Sequence, residues 1–362
     1  MPVNDAVRTT LGVGTAALIL AFGTVVLGAP AHAAEPTAND QGAGTKEGGG
    51  RDRSGIYAAV SIRYSGSVAP NGGPGNVRSA DVNWSPPPCW YAPYLGAKDF
   101  KKKMSAEIEE AASAPGMTGT PGAAIAQTKS HYEDGFGWED HPGYEDYNVE
   151  KDGEGMFWAG VANPDEPDFL KRNSCTELPF WVDNGEAPPP QYEEAITPEI
   201  LAALAYQHME LPGTKVTLAP AAATKVNLPT WAWLDQADFH EVQATATLDA
   251  PGLNLSATTT AKPVSLRLEP GTPDAETYPP SGQCTIDGGA VGEPYAQGKA
   301  DRTPPCGIKY LRSSGDGTFS LKATITWDIA WTGTGGAGDD LPDGTFENAQ
   351  AVTVQEIQSV NR

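Results

Sequence analysis

The sequence predicts a mostly β protein, in which an α+β N-terminal part precedes a C-terminal antiparallel β-sandwich. Its 41 glycines and 32 prolines favour many turns and short strands over long helices. Apolar residues recur at every second position from Phe319 to Trp331, while Ser320, Lys322 and the other alternate residues face away. Such a strand needs a second sheet to cover its apolar face, which indicates two packed sheets.

The first 33 residues have the three-part pattern of a secretory signal peptide. Arg8 precedes an uncharged run from Leu11 to Gly28, and Pro30 interrupts the helix before the small-residue site Ala31-His32-Ala33. We therefore expect cleavage before Ala34 and release into an oxidising compartment. Because an apolar run of about eighteen residues is near the lower limit for spanning a bilayer, an uncleaved N-terminal anchor is the alternative.

Apart from this segment, we expect no membrane anchor. No cysteine lies near the cleavage site to accept a lipid, and the residues from Val354 to Arg362 are polar with no hydrophobic tail. The expected product is a secreted protein, free or loosely associated with the cell wall, with no stable anchor after cleavage.

Three further segments follow the signal peptide. Residues 34–55 are rich in Gly, Asp, Glu, Thr and Lys and nearly lack apolar side chains, which predicts a flexible leader. The rest of the chain exceeds the size at which single hydrophobic cores stop growing, so we expect two domains. Strand patterns replace helical ones after Pro212. We therefore predict an aromatic-rich α+β domain over residues 56–211 and a β-sandwich domain over residues 212–362.

Two helices are predicted in the first domain. Residues 97–113 carry apolar side chains from Phe100 to Ala111 at three- and four-residue spacing, which indicates an amphipathic helix. A second helix is predicted over residues 198–209, where Thr197 is a suitable N-cap and Pro198 suits the first helical position. The segment between the helices is predicted to be long and irregular. Strand-like composition precedes the first helix at residues 56–64 and 77–84.

Strand patterns fill the second domain. Alternating or Thr-rich segments, separated by turns such as Ala250-Pro251-Gly252, predict strands over residues 242–248, 253–261, 264–268, 319–331 and 349–360. Regular strands without intervening helices are typical of a sandwich of antiparallel sheets.

Four cysteines follow the predicted cleavage site. An even number in an oxidising compartment indicates two disulfides, for which three connectivities exist. We favour Cys89–Cys175 with Cys284–Cys306, because pairing neighbours keeps each bridge inside one predicted domain. A zinc site is disfavoured, since the sequence has no Cys-x-x-Cys motif and no histidine at ligand spacing.

The formal charge of −22 argues against nucleic-acid binding. Acidic residues outnumber basic ones 46 to 24, and the basic cluster Lys101–Lys103 lies beside glutamates in a predicted helix. Proteins bind a phosphate backbone by neutralising it with Lys and Arg. We therefore expect no nucleic-acid partner.

Aromatic and acidic side chains are concentrated between His131 and Trp158. We name five of them the predicted aromatic platform: Tyr132, Trp138, Tyr144, Tyr147 and Trp158. With the carboxylates of Glu139 and Asp140, they are the candidate binding residues, because glycan recognition and glycoside hydrolysis use aromatic rings beside carboxylates. The alternative, which the sequence favours, is a long loop whose aromatic residues hold it to the domain and whose acids are solvated.

No catalytic or cofactor motif fits its context. Gly333–Gly338 matches Gly-x-Gly-x-x-Gly, but Asp339-Asp340 follows instead of a helix, so we interpret it as a strand-connecting loop. Motifs for a serine nucleophile or a zinc protease are missing. We expect no cofactor and no metal. The alternative is calcium, held by Asp339, Asp340 and Asp343 or by Asp134, Glu139 and Asp140.

Part of the C-terminal region resembles a known type of module. The run Ile308-Lys309-Tyr310 and the later run from Gly317 to Thr326 are similar to the His-Thr-Tyr and Gly-Thr-Tyr-x-Val-x-Leu-x-Val patterns of polycystic-kidney-disease-type modules. Their Phe-Gly-Asp-Gly segment is absent, and Leu268–Gly271 stands roughly where it would be. The resemblance covers roughly the last third of the chain and implies an immunoglobulin-like sandwich.

A second resemblance involves aromatic segments. The run Val226–Leu234, which contains Asn-Leu-Pro-Thr-Trp-Ala-Trp-Leu, resembles a signature of exported actinobacterial proteins of unknown function. Trp90–Pro93 and Phe180–Asp183 are similar to other aromatic segments of that group. This resemblance implies export and architecture only.

Together these features favour an exported, non-catalytic protein that binds an envelope protein or a glycan at or near the cell envelope. The alternative is a secreted, glycosidase-like hydrolase whose carboxylates lie in residues 131–158. The two hypotheses differ in geometry, because a glycosidase needs two carboxyl groups about 5–10 Å apart in a cleft.

Overall fold

A computed structural model of the chain describes residues 46–48, 62–66, 75–76, 78–81, 83–117, 119–138, 141–211, 216–221, 223–234, 240–287, 290–299 and 301–357. These residues form two compact units. The smaller unit comprises residues 95–157, and the larger comprises the described parts of 46–94 and 158–357. The boundaries of these units differ from those of the predicted domains, 56–211 and 212–362. The predicted signal peptide, 1–33, lies outside the described residues.

The described helices are α1 (Ala97–Ser113), α2 (Thr120–Glu133), α3 (Phe169–Arg172) and α4 (Pro198–Gln207). Helix α1 has the predicted bounds, and α4 begins at the predicted residue, where the Thr197 hydroxyl accepts a hydrogen bond from the Ile200 amide. Helix α2 lies in the segment predicted to be irregular, because its apolar residues do not gather on one face. None of the helices in the described ranges is long and apolar enough to cross a membrane.

Strands form most of the remaining regular structure. In the first part of the chain they are β1 (Lys46–Gly48), β2 (Ile62–Gly66), β3 (Gly75–Asn76), β4 (Arg78–Ser79), β5 (Cys89–Leu95), β6 (Gly155–Ala162), β7 (Phe180–Asp183) and β8 (Glu210–Leu211). Strand β1 pairs with β2, so part of the predicted flexible leader, 34–55, is in a strand. Composition did not predict strand β1, because strand pairing uses backbone groups that every residue carries.

The later strands are β9 (Thr217–Ala219), β10 (Ala223–Lys225), β11 (Thr230–Leu234), β12 (Val242–Ala250), β13 (Leu253–Glu269), β14 (Ala275–Tyr278), β15 (Gln283–Asp287), β16 (Ala290–Gly292), β17 (Gly307–Tyr310), β18 (Phe319–Gly333) and β19 (Gly338–Gln355). The segments predicted as 253–261 and 264–268 are one continuous strand, β13. Strand β19 begins before the predicted segment 349–360, because its polar N-terminal half is paired with β18 in a hairpin. The Gly-rich segment is the connecting loop of that hairpin, as predicted.

The long strands form an antiparallel sheet in the order β2–β12–β13–β18–β19. The shorter strands β14, β17, β11, β16 and β15 form a second antiparallel arrangement, in which β9 also pairs with β11. Strand β15 pairs with β13 at Ser265–Arg267 and so connects the two. The predicted class, mostly β with antiparallel sheets and a smaller α+β part, is confirmed, and the arrangement is consistent with a β-sandwich.

The core of the larger unit contains the alternating face of β18. Leu321, Ile325, Trp327 and Ile329 are all buried, as the periodicity predicted. Burial of each such side chain contributes about 1.5–3 kcal/mol. Helix α4 packs on β12, β13 and β18, and the buried Thr259 hydroxyl donates a hydrogen bond of 2.9 Å to the Ala202 carbonyl oxygen.

Two disulfides join the cysteines. They are Cys89–Cys175 and Cys284–Cys306, with Cα atoms 6.0 and 5.5 Å apart. These separations are ordinary for disulfides. The structure therefore contains both of the disulfides that the sequence favoured. The first closes a loop of 86 residues and the second a loop of 22 residues.

Candidate functional site

The predicted aromatic platform lies mostly in hydrophobic cores. Tyr132 and Tyr147 have no exposed surface, and Tyr144 is also buried. Their rings are nearly parallel, with centroids 5.8 Å apart for both Tyr132–Tyr144 and Tyr132–Tyr147. A sugar ring would have to open the core to reach their faces. These three side chains therefore act in packing.

Helix α1 supplies the centre of this core in the smaller unit. The Phe100 ring stacks on Phe157 with centroids 3.8 Å apart and meets Tyr132 edge-on at 5.1 Å. Aromatic pairs of this kind contribute about 0.5–1.5 kcal/mol beyond the area that they bury. The ring cluster thus fixes α1, α2 and the segment that follows them.

Trp158 is the platform residue that belongs to the larger unit. It is buried and its ring is tilted against Phe180, which stacks on Tyr192 at 3.4 Å. Strands β5, β6 and β7, which carry Trp90, Trp158 and Phe180, form a three-stranded sheet. The region predicted as one site therefore supplies side chains to two separate cores.

Trp138 is the one platform residue with partial exposure, and it marks a tight turn. Its backbone exchanges both hydrogen bonds with His141, at 3.0 and 2.8 Å. Its ring lies 4.4 Å from the ring of His131, whose Nδ1 is 2.9 Å from the Phe136 carbonyl oxygen. Burial lowers the pKa of His131, which favours the neutral form of this imidazole. The candidates Glu139 and Asp140, between Trp138 and His141, lie outside the described residues.

Three described acids of this region pair with three different lysines on the protein surface. Lys129 Nζ is 3.5 Å from Glu133, Asp146 pairs with Lys101, and Lys98 Nζ is 2.9 Å from Asp152. Hydrogen bonds from Lys98 hold the pKa of Asp152 below its ordinary value. Solvated, ion-paired carboxylates are unlike the general acid of a glycosidase, whose pKa is raised by a water-poor cleft.

In the described parts of the chain, no group of three or more Asp, Glu, His or Cys side chains could hold a metal ion. The calcium candidates Glu139 and Asp140 lie outside those parts. Asp339, Asp340 and Asp343 lie exposed on β19, and Asp134 is bound to the Ser130 hydroxyl at 2.9 Å. Adjacent residues of a strand point to opposite faces, so Asp339 and Asp340 are poorly placed to share one ion.

A surface pocket of about 490 Å³ lies between α1 and α2 in the smaller unit. Its lining combines an apolar wall with a few polar groups. We call it the helical pocket; it is lined by Ser105, Ile108, Glu109, Ala112, Met117, Gly122, Ile125, Ala126, Lys129, Glu133 and Tyr147. Pockets of this size and mixed lining are suited to small molecules.

Tyr147 connects the helical pocket to a strained segment. Asp146, Tyr147 and Asn148 have φ values of 44°, 57° and 55°, in the left-handed region. Such a backbone costs about 1–2 kcal/mol for a residue such as Tyr147, and less for Asp and Asn, which enter this region more readily. The stacking of Tyr147 on Tyr132 and the ion pair of Asp146 with Lys101 hold the segment in place.

A second feature, in the larger unit, is an exposed apolar turn. Phe169 and Leu170 are adjacent large apolar residues whose exposed fractions are 64% and 79%. They begin α3, which follows the β6 strand and precedes Cys175. We name residues Asp168–Asn173 the Phe169 turn.

The backbone of the Phe169 turn is held by local contacts. The Asp168 carboxylate accepts hydrogen bonds from the amides of Leu170 and Lys171, at 2.9 and 3.3 Å. The Arg172 guanidinium lies 5.4 Å from the centre of the Phe169 ring, and the Asn173 side chain donates to the Phe169 carbonyl oxygen at 2.7 Å. The turn therefore presents two apolar side chains on a defined backbone.

The sequence patterns did not predict this turn. Its signal is short: Asp168, a good N-cap, comes directly before two apolar residues and the basic pair Lys171-Arg172. A single turn of helix carries too few residues to show periodicity, and exposure cannot be read from composition.

Comparison of the chain with family models, with curated proteins and with solved structures gave no match.

Proposed function

We propose that the chain is an exported, non-catalytic protein that binds a protein partner at or near the cell envelope through the Phe169 turn. The observation that supports this is the exposure of Phe169 and Leu170, at 64% and 79%, on a backbone fixed by Asp168 and Asn173. Large apolar side chains placed side by side in water favour association, because a partner removes their surface from solvent.

The fixed backbone of the turn supports recognition rather than incidental exposure. A loop that is ordered before binding loses less conformational entropy when the partner arrives. The Arg172 contact also limits the positions of the Phe169 ring. Binding energy in protein interfaces is concentrated in a few anchoring side chains, and Phe169 with Leu170 is suited to that role.

A protein partner suits this turn better than a glycan. Leu170 offers no hydrogen bond, whereas sugars are recognised through hydroxyl partners as well as ring faces. The side chains expected to stack on a glycan, Tyr132, Tyr144, Tyr147 and Trp158, are buried. The formal charge of −22 favours a basic partner, because long-range attraction raises the rate of encounter.

Export is supported by the signal-peptide pattern and by the two disulfides, which persist in oxidising compartments. When the chain is expressed with its own N-terminus, we expect the protein in the culture medium to begin at Ala34. N-terminal sequencing of the secreted and membrane fractions measures this. A protein that keeps residues 1–33 and sediments with membranes would contradict release and favour the anchored alternative.

The partner can be identified by site-specific crosslinking from the native compartment. A photoreactive residue at position 170 is compared with one at position 357, because Ile357 is similarly exposed, at 70%. We expect one protein to be crosslinked from position 170 and not from position 357. Equal capture from both positions, or turnover of a glycan without any protein partner, would contradict the proposal.

A further inference from the structure

We propose that the helical pocket binds a small organic cation, an amine whose hydrocarbon part lies between α1 and α2 and whose ammonium group faces Glu109 and the Tyr147 hydroxyl. This site lies in the smaller unit and is independent of the proposed protein partner. Three features support it: the apolar wall, the buried hydroxyl and the charge of the rim.

The wall suits a hydrocarbon chain or ring. Ile108, Met117 and Ile125 line the pocket together with Ala112 and Ala126. Its volume of about 490 Å³ lies within the range of small-molecule sites, roughly 300–1,000 Å³. Removing an apolar ligand surface from water here is favourable, and the unbranched Met117 side chain can adapt to its shape.

The Tyr147 hydroxyl is a polar group that a ligand could satisfy. It is buried and has no hydrogen-bond partner of ordinary geometry among the described residues. Tyr147 lines the pocket together with Ser105, Lys129 and Glu133, three of the residues that act on the pKa of its hydroxyl. Burial raises that pKa, and the Ser105 side chain opposes the rise. The protonated hydroxyl can accept a hydrogen bond from an N–H group.

The backbone presets the position of this hydroxyl. Residues 146–148 are held in the left-handed region, and the Tyr147 ring packs against Tyr132 and Phe100. Strained segments that persist because their surroundings hold them are found often at ligand-binding sites.

The rim charge favours a cation over an anion. Lys129 is compensated by Glu133, at 3.5 Å, whereas Glu109 makes no ion pair within the described ranges. The lining thus carries one carboxylate in excess, and the formal charge of −22 adds a long-range attraction for cations.

The test is a methyl NMR titration of the full mature chain with hexylammonium, hexanol and hexanoate. We expect hexylammonium to shift the methyl signals of Ile108, Met117 and Ile125, and hexanoate to bind at least tenfold more weakly. Absence of these shifts, or hexanoate binding as tightly as hexylammonium, would overturn the proposal.

Variants test the two polar contacts separately. Glu109→Gln is expected to weaken the binding of hexylammonium about two- to fivefold and to leave the affinity for hexanol unchanged. Its matched control is Glu110→Gln, the next residue of α1, which does not line the pocket. Tyr147→Phe is expected to weaken the binding of hexylammonium and of hexanol roughly two- to tenfold. The variant is expected to fold, because the ring remains and only an unpaired hydroxyl is removed. If Glu109→Gln and Glu110→Gln bound hexylammonium with equal affinity, the proposed contact between Glu109 and the ammonium group would be refuted. This result does not depend on whether Tyr147→Phe folds.

Discussion

Replacement of both Cys89 and Cys175 by serine is expected to lower the free energy of unfolding by about 4–5 kcal/mol. The bridge closes a loop of 86 residues, and this loop contains the whole smaller unit, 95–157. Without the bridge, the unfolded chain gains the entropy of a long open loop. Urea unfolding of the oxidised wild type and the double variant, followed by circular dichroism, measures the difference.

The second disulfide provides the matched control. Cys284–Cys306 closes only 22 residues, so its removal is expected to cost about 3–4 kcal/mol, roughly 1 kcal/mol less. A larger loss for the Cys284/Cys306 pair than for the Cys89/Cys175 pair would contradict the loop-closure account. It would indicate instead that the native packing around β15 and β17 depends on the shorter bridge.

Substitution of Phe100 by alanine is expected to destabilise the smaller unit by about 3–5 kcal/mol. Phe100 has no exposed surface, and its ring stacks on Phe157 and meets Tyr132 edge-on. Removing the ring leaves a cavity that neighbouring aromatic rings are too rigid to fill. Near-ultraviolet circular dichroism during urea unfolding reports the loss, because the tyrosines of the cluster contribute to that signal.

Phe136→Ala is the control for this experiment. Phe136 is 50% exposed in the same unit, so its removal is expected to change stability by less than about 0.5 kcal/mol. If both substitutions had equal effects, the aromatic residues around 131–158 would not form the packed core described above. Their interpretation as a solvent-facing platform would then regain support.

The predicted elements that agree with the structure are those with strong periodicity or clear end signals. Strand β18 alternates over its whole length, α1 has a single apolar stripe, and α4 begins with the Thr197 cap and Pro198. In each case side chains close in sequence determine the local structure, so a single sequence is sufficient.

Elements that depend on distant contacts were harder to predict. Helix α2 lacks an apolar stripe, yet Tyr132 at its end is buried against Phe100 and Phe157, which are far away in sequence. Strand β1 has few apolar residues and forms by pairing with β2. Tertiary context overrides local preference at such positions.

The candidate site was predicted less well than the fold, for the same reason. Composition located a region rich in aromatic residues but could not distinguish rings that pack inward from rings that face solvent. Tyr132 and Tyr147 face inward, whereas Phe169, which no sequence pattern identified, is exposed. Which side chains are exposed depends on the folded structure, so the proposed binding residues could be identified only from that structure.

The most direct test of the proposed function is a calorimetric titration of the partner crosslinked from position 170 with the wild type and with the double variant Phe169→Ser/Leu170→Ser. We expect the double variant to lose about 2–4 kcal/mol of binding free energy, a decrease in affinity of roughly 30-fold or more. Leu311→Ser, which alters an exposed apolar residue elsewhere in the larger unit, should bind like the wild type. Unchanged affinity in the double variant, or equal losses in both variants, would contradict the assignment of the Phe169 turn as the binding surface.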